Sequence, residues 1–133
     1  MRVAFLAMVL ILLAAPLYAG SESWVPVADG AFVTQPKELQ RMHASLKAKV
    51  TEAAKAQKTT LPAWSRFLIQ YRERVVKGQR TVELQGSCRR DSHIDSRSVF
   101  VGDIIMDGGT CYFTVFYVID SDRYSNVVFH GYA

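Results

Sequence analysis

The first fifteen residues constrain this chain more than any others. Met1 and Arg2 make a minimal positive start, Val3 to Ala15 is an uncharged apolar run, and Pro16 breaks whatever helix the run could form. This is the order of a cleavable secretory signal peptide. The run is thirteen residues long, whereas a bilayer needs roughly 20 at about 1.5 Å per residue, so it is too short for a permanent membrane anchor. Leu17-Tyr18-Ala19 puts a small residue before the cut, with Ala19-Gly20-Ser21 as the neighbouring alternative, and no cysteine follows the run to carry a lipid. The expectation is a signal peptide over residues 1–19, cleavage after Ala19, and a single small domain over 20–133 exported to a periplasmic or extracellular space.

Export sets the redox conditions under which the remaining 114 residues fold. A domain of that size holds one modest core. Its two cysteines, Cys88 and Cys111, allow a single intramolecular pairing, and an oxidising compartment favours the bond. Their wide separation and the lack of an ordered histidine spacing do not read as a zinc site. Loss of Arg2 with the signal takes the formal net charge from +4 to +3. The charge is unevenly placed, with basic stretches at Lys37 to Lys58 and Arg66 to Arg90 and six aspartates from Asp91 to Asp122. A basic face of this kind suits an anionic surface, a glycan or an acidic protein partner. No motif points to specific nucleic-acid recognition.

The periodicity names the elements. Ser21 to Phe32 has no sustained period and reads as an extended segment that lays Trp24 against the core. Thr34 offers an N-cap hydroxyl and Pro36 suits a first helical turn. Leu39, Met42, Leu46, Val50, Ala53 and Ala54 then recur at threes and fours, predicting one amphipathic helix to about Gln57. After Trp64 the period becomes two: Phe67, Ile69, Tyr71 and Val75 alternate with Arg66, Gln70, Arg72 and Arg74. Lys77-Gly78 supplies a tight turn, and Thr81 to Cys88 returns with Val82, Leu84 and Cys88 in phase. Thr110 to Ile119 and Asn126 to Tyr132 supply two more strands around the polar turn Asp120 to Arg123. The expected fold is α+β, one helix packed on a four-stranded antiparallel meander. Cys111 shares phase with Phe113, Val115 and Tyr117, so a Cys88–Cys111 bond between neighbouring strands would close the excursion from Arg89 to Thr110.

That architecture resembles the cystatin-like one, which implies protease inhibition as one reading. The first hairpin reads Val75-Val76-Lys77-Gly78-Gln79 where cystatin inhibitors characteristically carry Gln-x-Val-x-Gly. The stretch Asp107-Gly108-Gly109-Thr110-Cys111-Tyr112-Phe113, with Ser125 to Ala133, is similar to small exported bacterial proteins of uncharacterised function, which tend to carry Asn where this chain has His130. This second resemblance implies no activity and no site residue.

Candidate chemistry is sparse. Asp91, His93 and Asp95 alternate, so an extended backbone would project all three to one side, where they could take a metal or pair a carboxylate with an imidazole. Asp and Ser in such a stretch equally describe a polar turn. The length of the excursion suggests structure of its own, with Ser98 to Ile105 as an additional strand. His43 borders the apolar stripe of the helix, and His130 falls beside Phe129 on the last strand. No Gly-x-Ser-x-Gly elbow and no phosphate-cradling glycine loop is present. No catalytic residue, metal ligand set or cofactor is therefore assigned. Aromatics crowd the strands at Tyr112, Phe113, Phe116, Tyr117, Tyr124, Phe129 and Tyr132. With a helix on one face alone, some would lie on the other, flanked by Arg66, Arg72 and Arg74.

Three functional readings follow. The first is a non-enzymatic exported binding or interaction module using the open sheet face, with Arg72 and Arg74 as contacts. The second is a small-ligand or enzymatic domain with a pocket between helix and sheet, and Asp91, His93 and Asp95 as its polar groups. The third is a cystatin-like protease inhibitor. A pocket lined by convergent polar groups would favour the second, a filled apolar core the first.

Overall fold

A computed structural model of the chain describes residues 22–88, 93–104 and 109–130. The expected signal peptide and its cleavage site, and Asp91, lie outside these residues. Helix α1 spans Pro36–Ala56 and presents Met42, Leu46, Val50 and Ala54 as one buried row. Its N-cap is Gln35, not Thr34, and the Gln35 amide donates to Glu38 Oε1 at 3.0 Å. The Thr34 hydroxyl and backbone N–H both donate to Glu73 Oε1, at 2.7 and 3.2 Å. Thr34 thus ties the segment before the helix to the sheet rather than capping the helix. Lys58, at φ 54°, takes the left-handed conformation that ends the helix.

The sheet is mixed and larger than a four-stranded meander. Strands β2 (Leu68–Val76), β3 (Gln79–Ser87) and β4 (Gly109–Val118) form the antiparallel centre. Lys77 and Gly78, at φ 50° and 76°, make the two-residue turn whose twist suits a hairpin. The N-terminal segment, read as merely extended, adds a parallel edge strand, β1 (Ser23–Pro26), against β2. Of the expected last strand, Asn126 to Tyr132, the described residues form β6 (Val128–His130), and an unforeseen two-residue strand, β5 (Arg123–Tyr124), precedes it at the end of the polar turn; each pairs with β4. The additional strand expected over Ser98 to Ile105 is instead a single helical turn, α2 (Val101–Ile104).

The inner face of the sheet packs on α1. Phe67, Ile69, Val82, Leu84, Phe113, Val115 and Tyr117 are fully buried there with Met42, Leu46 and Val50. Gly86 is a requirement of this packing, because a Cβ at that position would lie 2.1 Å from the Phe113 ring. Trp24 does reach the core from β1, stacking on His43 of α1 at 4.0 Å and lying 6.2 Å from Tyr71.

Candidate functional site

Alternation along the strands sends the remaining side chains outward in rows. Gln70, Gln85 and Thr114 form one row across β2, β3 and β4; Arg72, Glu83 and Phe116 the next; Arg74, Thr81 and Val118 the third. The Cys88–Cys111 disulfide joins opposed residues at a Cα separation of 5.0 Å, and the Cys88 N–H donates to the Cys111 carbonyl at 2.9 Å. It closes the excursion that residues 93–104 bring back over the outer face.

One amide holds this strap down. Gln70 Nε2 donates to the carbonyls of Ser96 and Val99, both at 2.7 Å, while its Oε1 accepts the Val101 N–H at 2.9 Å. Gln70 is 1% exposed, so each of these bonds replaces water that the buried groups have lost. Around the amide, Val101, Cys111 and Tyr112 form a small second core with Cys88 and Ile94. Phe100 is buried beneath the Arg72 guanidinium, which lies 4.8 Å from the ring centre. Gly102 allows the close seating of α2, since a Cβ there would come within 2.8 Å of Gln85 Oε1. Gln85 Nε2 donates to Asp103 at 3.3 Å.

The contacts of the strap reach as far as Arg72. Beyond it, Arg74 Nε donates to Glu83 Oε2 at 2.6 Å. Glu83 is buried, while the Arg74 side chain of this pair remains 45% exposed. Along the edge of β2 runs an open groove of about 420 Å³, with Arg72, Glu73, Arg74, Val75 and Val76 on one wall and Asp29 and Ala31 on the other. It forms where β1 stops pairing, since past Pro26 the N-terminal segment touches β2 through the Val27 and Ala31 amides, which donate to the Tyr71 and Glu73 carbonyls.

The structure thus brings Arg72 and Arg74 together. His93 lies in a turn and Asp95 opens the next one, its carbonyl accepting the Ser98 and Val99 N–H groups at 3.0 and 3.2 Å. Asp95 accepts from the Ser98 hydroxyl at 2.6 Å and the Arg97 N–H at 3.1 Å. These bonds hold its carboxyl below the ordinary carboxylate range, and they account for the residue as a turn former. Neither His93 nor Asp95 lines the groove. Among the described residues, no group of three or more His, Cys, Asp or Glu is placed to hold a metal ion.

The aromatic outer face is also corrected. Phe113 and Tyr117 point inward, Tyr112 is buried under the strap, and Tyr124 and Phe129 pack against the main core, which among the described members of that set leaves Phe116 half-buried on the outer face; Tyr132 lies outside the described residues. Arg66 sits in the short 3₁₀ turn Trp64–Arg66 ahead of β2. His130 pairs with the Thr114 hydroxyl at 2.9 Å. Gln70 and Gln85 are the residues that sequence reasoning passed over. Their one signal was an uncharged amide at an outward position among arginines.

No protein-family model, curated protein or solved structure matches this chain. What defines its class is the architecture itself: among the described residues, an α+β arrangement with one long helix, a six-stranded mixed sheet and a disulfide-closed strap over part of the outer face.

Proposed function

We propose that this protein is an exported, non-enzymatic binding module that engages an anionic partner through the part of the outer sheet face bearing Arg72 and Arg74. The observation that carries the reading is the division of that face. The strap is fixed over the rows of Gln70 and Gln85 and leaves the next rows to two arginines beside a groove of about 420 Å³. The space between helix and sheet is filled by side chains of zero exposure, which supports a binding surface over an internal pocket. The disulfide fits folding in an oxidising compartment, and cleavage after Ala19 would leave Gly20 at the mature N-terminus.

The test is retention on a sulfated-polysaccharide resin, which presents anionic charge without a chosen partner. The wild type should elute at clearly higher salt than Arg72→Glu with Arg74→Glu, and the gap should be widest in binding assays at low ionic strength, where screening is least. Equal elution of the two proteins contradicts the reading.

A further inference from the structure

The open rows contain a third arginine. Arg123 of β5 stands opposite Val118 of β4, while its neighbour Tyr124 stands opposite Tyr117. Tyr117 is an inner-face residue, and Tyr124 likewise bonds to Ser45 of α1 at 2.7 Å. Arg123 therefore emerges on the outer face, where it is exposed. The third row then runs Arg74, Thr81, Val118, Arg123 across four neighbouring strands. At about 4.8 Å per strand, the two arginines rise from positions about 14 Å apart.

The floor between them is mixed in character, part apolar and part polar. Thr81 is buried, Val118 and Phe116 are half-buried, and the one acid, Glu83, is buried beneath Arg74. Arg72, Arg74 and Arg123 thus face outward; Arg74 is paired with Glu83, and Asp29 and Glu73 line the groove beside Arg72 and Arg74. An α-helix with its side chains is about 10–12 Å across, which fits between arginines about 14 Å apart. A helix-on-sheet layer is also what already covers the inner face.

Resting on the binding reading above, we infer that the occupant of this floor is an amphipathic helix of a partner protein, its apolar stripe on Val118 and Phe116 and its flanks acidic, one flank meeting Arg74 and the other Arg123. The charge pattern selects the partner: acidic flanks complement both walls, and basic flanks meet like charge on both. Arg123 carries half of the recognition although it is remote in sequence from Arg72 and Arg74.

The probe is a synthetic helical peptide of about 18 residues, about 27 Å long at about 1.5 Å per residue, with a leucine stripe and glutamate on both flanks. Binding is followed by amide chemical shifts and by titration at low salt. The expected result is shifts centred on Arg74, Val118 and Arg123, at least a tenfold loss of affinity for Arg123→Glu with an unchanged thermal midpoint, and near wild-type binding for Arg123→Lys. The same peptide with lysine flanks should not bind. Undiminished binding by Arg123→Glu overturns the inference while leaving the Arg72 and Arg74 reading intact, provided Arg72→Glu with Arg74→Glu still elutes early from the resin. Absence of peptide binding, shifts that lie elsewhere, or equal binding of the lysine-flanked peptide overturns it as well. So does tighter binding to phosphatidylglycerol vesicles than to the peptide, which would assign the face to an anionic membrane surface.

Discussion

The two faces of the sheet are held by different physics. On the inner face, Met42, Leu46 and Val50 meet Leu84, Phe113 and Val115 over a continuous apolar volume, and stability there grows with area removed from water. On the outer face, the strap over residues 93–104 rests on a small apolar cluster, one buried amide and one disulfide. The first arrangement is cooperative, because every side chain touches several others. The second is a series of discrete attachments, each removable on its own. That difference lets one face serve as the scaffold while the other is divided between a part covered by the strap and a part that bears Arg72 and Arg74.

Substitutions should separate the two. Phe113→Ala removes the ring that Gly86 makes room for and that meets Trp64, Phe67 and Phe129. It should cost about 3–5 kcal/mol and lower the global unfolding midpoint seen by every probe. Cys88→Ala or Cys111→Ala, releasing a closure across a sequence separation of 23, should cost about 3 kcal/mol in denaturant titrations. The double variant should cost no more than either single one, and two free thiols in the wild type under oxidising conditions would defeat this prediction. Gln70→Leu should cost about 1–3 kcal/mol, because it orphans two carbonyls and one N–H in a buried place. Its effect should be confined to amide exchange between residues 94 and 104, and loss of protection in α1 as well would blur the division.

The smallest effect is pH-dependent and lies on the inner side. Burial holds His43 below its ordinary pKa of 6.5, with Glu22 opposing the shift. As pH falls through about 6.5 the unfolded chain takes up this proton before the folded one, so stability is full above that value and declines toward the folded pKa. His43→Gln should flatten the thermal midpoint between about pH 7.5 and pH 5 relative to wild type. An unaltered slope would show that the Trp24 stack does not resist protonation.

Much of the scaffold was legible in the sequence because its reasons are local. The threes and fours of Met42, Leu46 and Val50, the alternation from Phe67 to Val75, and the shared phase of Cys88 and Cys111 each depend on neighbours a few residues away. Strand β1 was less legible because four residues with no period become a strand only through β2. Strand β5 was missed for a similar reason, since Arg123 and Tyr124 become a strand only by pairing with Val118 and Tyr117 of β4. The candidate site was read in part. Arg72 and Arg74 were correctly placed on the outward phase, but the strap was not foreseen, since Gln70 acts on carbonyls 26 and 29 residues away. The alternation of Asp91, His93 and Asp95 assumed an extended backbone, and the bonds of Asp95 to Ser98 and Arg97 favour a turn there instead.

The division of the molecule into a cooperative inner layer and a separately attached strap is tested most directly by residue-resolved native-state hydrogen exchange, comparing wild type with Gln70→Leu. The account predicts two classes of amide in the wild type. Leu46, Val50, Leu84 and Val115 should exchange only through global unfolding, and Val101 through a smaller opening that Gln70→Leu makes fully accessible without changing the first class. A single class, in which Val101 exchanges with the core and Gln70→Leu lowers protection everywhere in step, would contradict it.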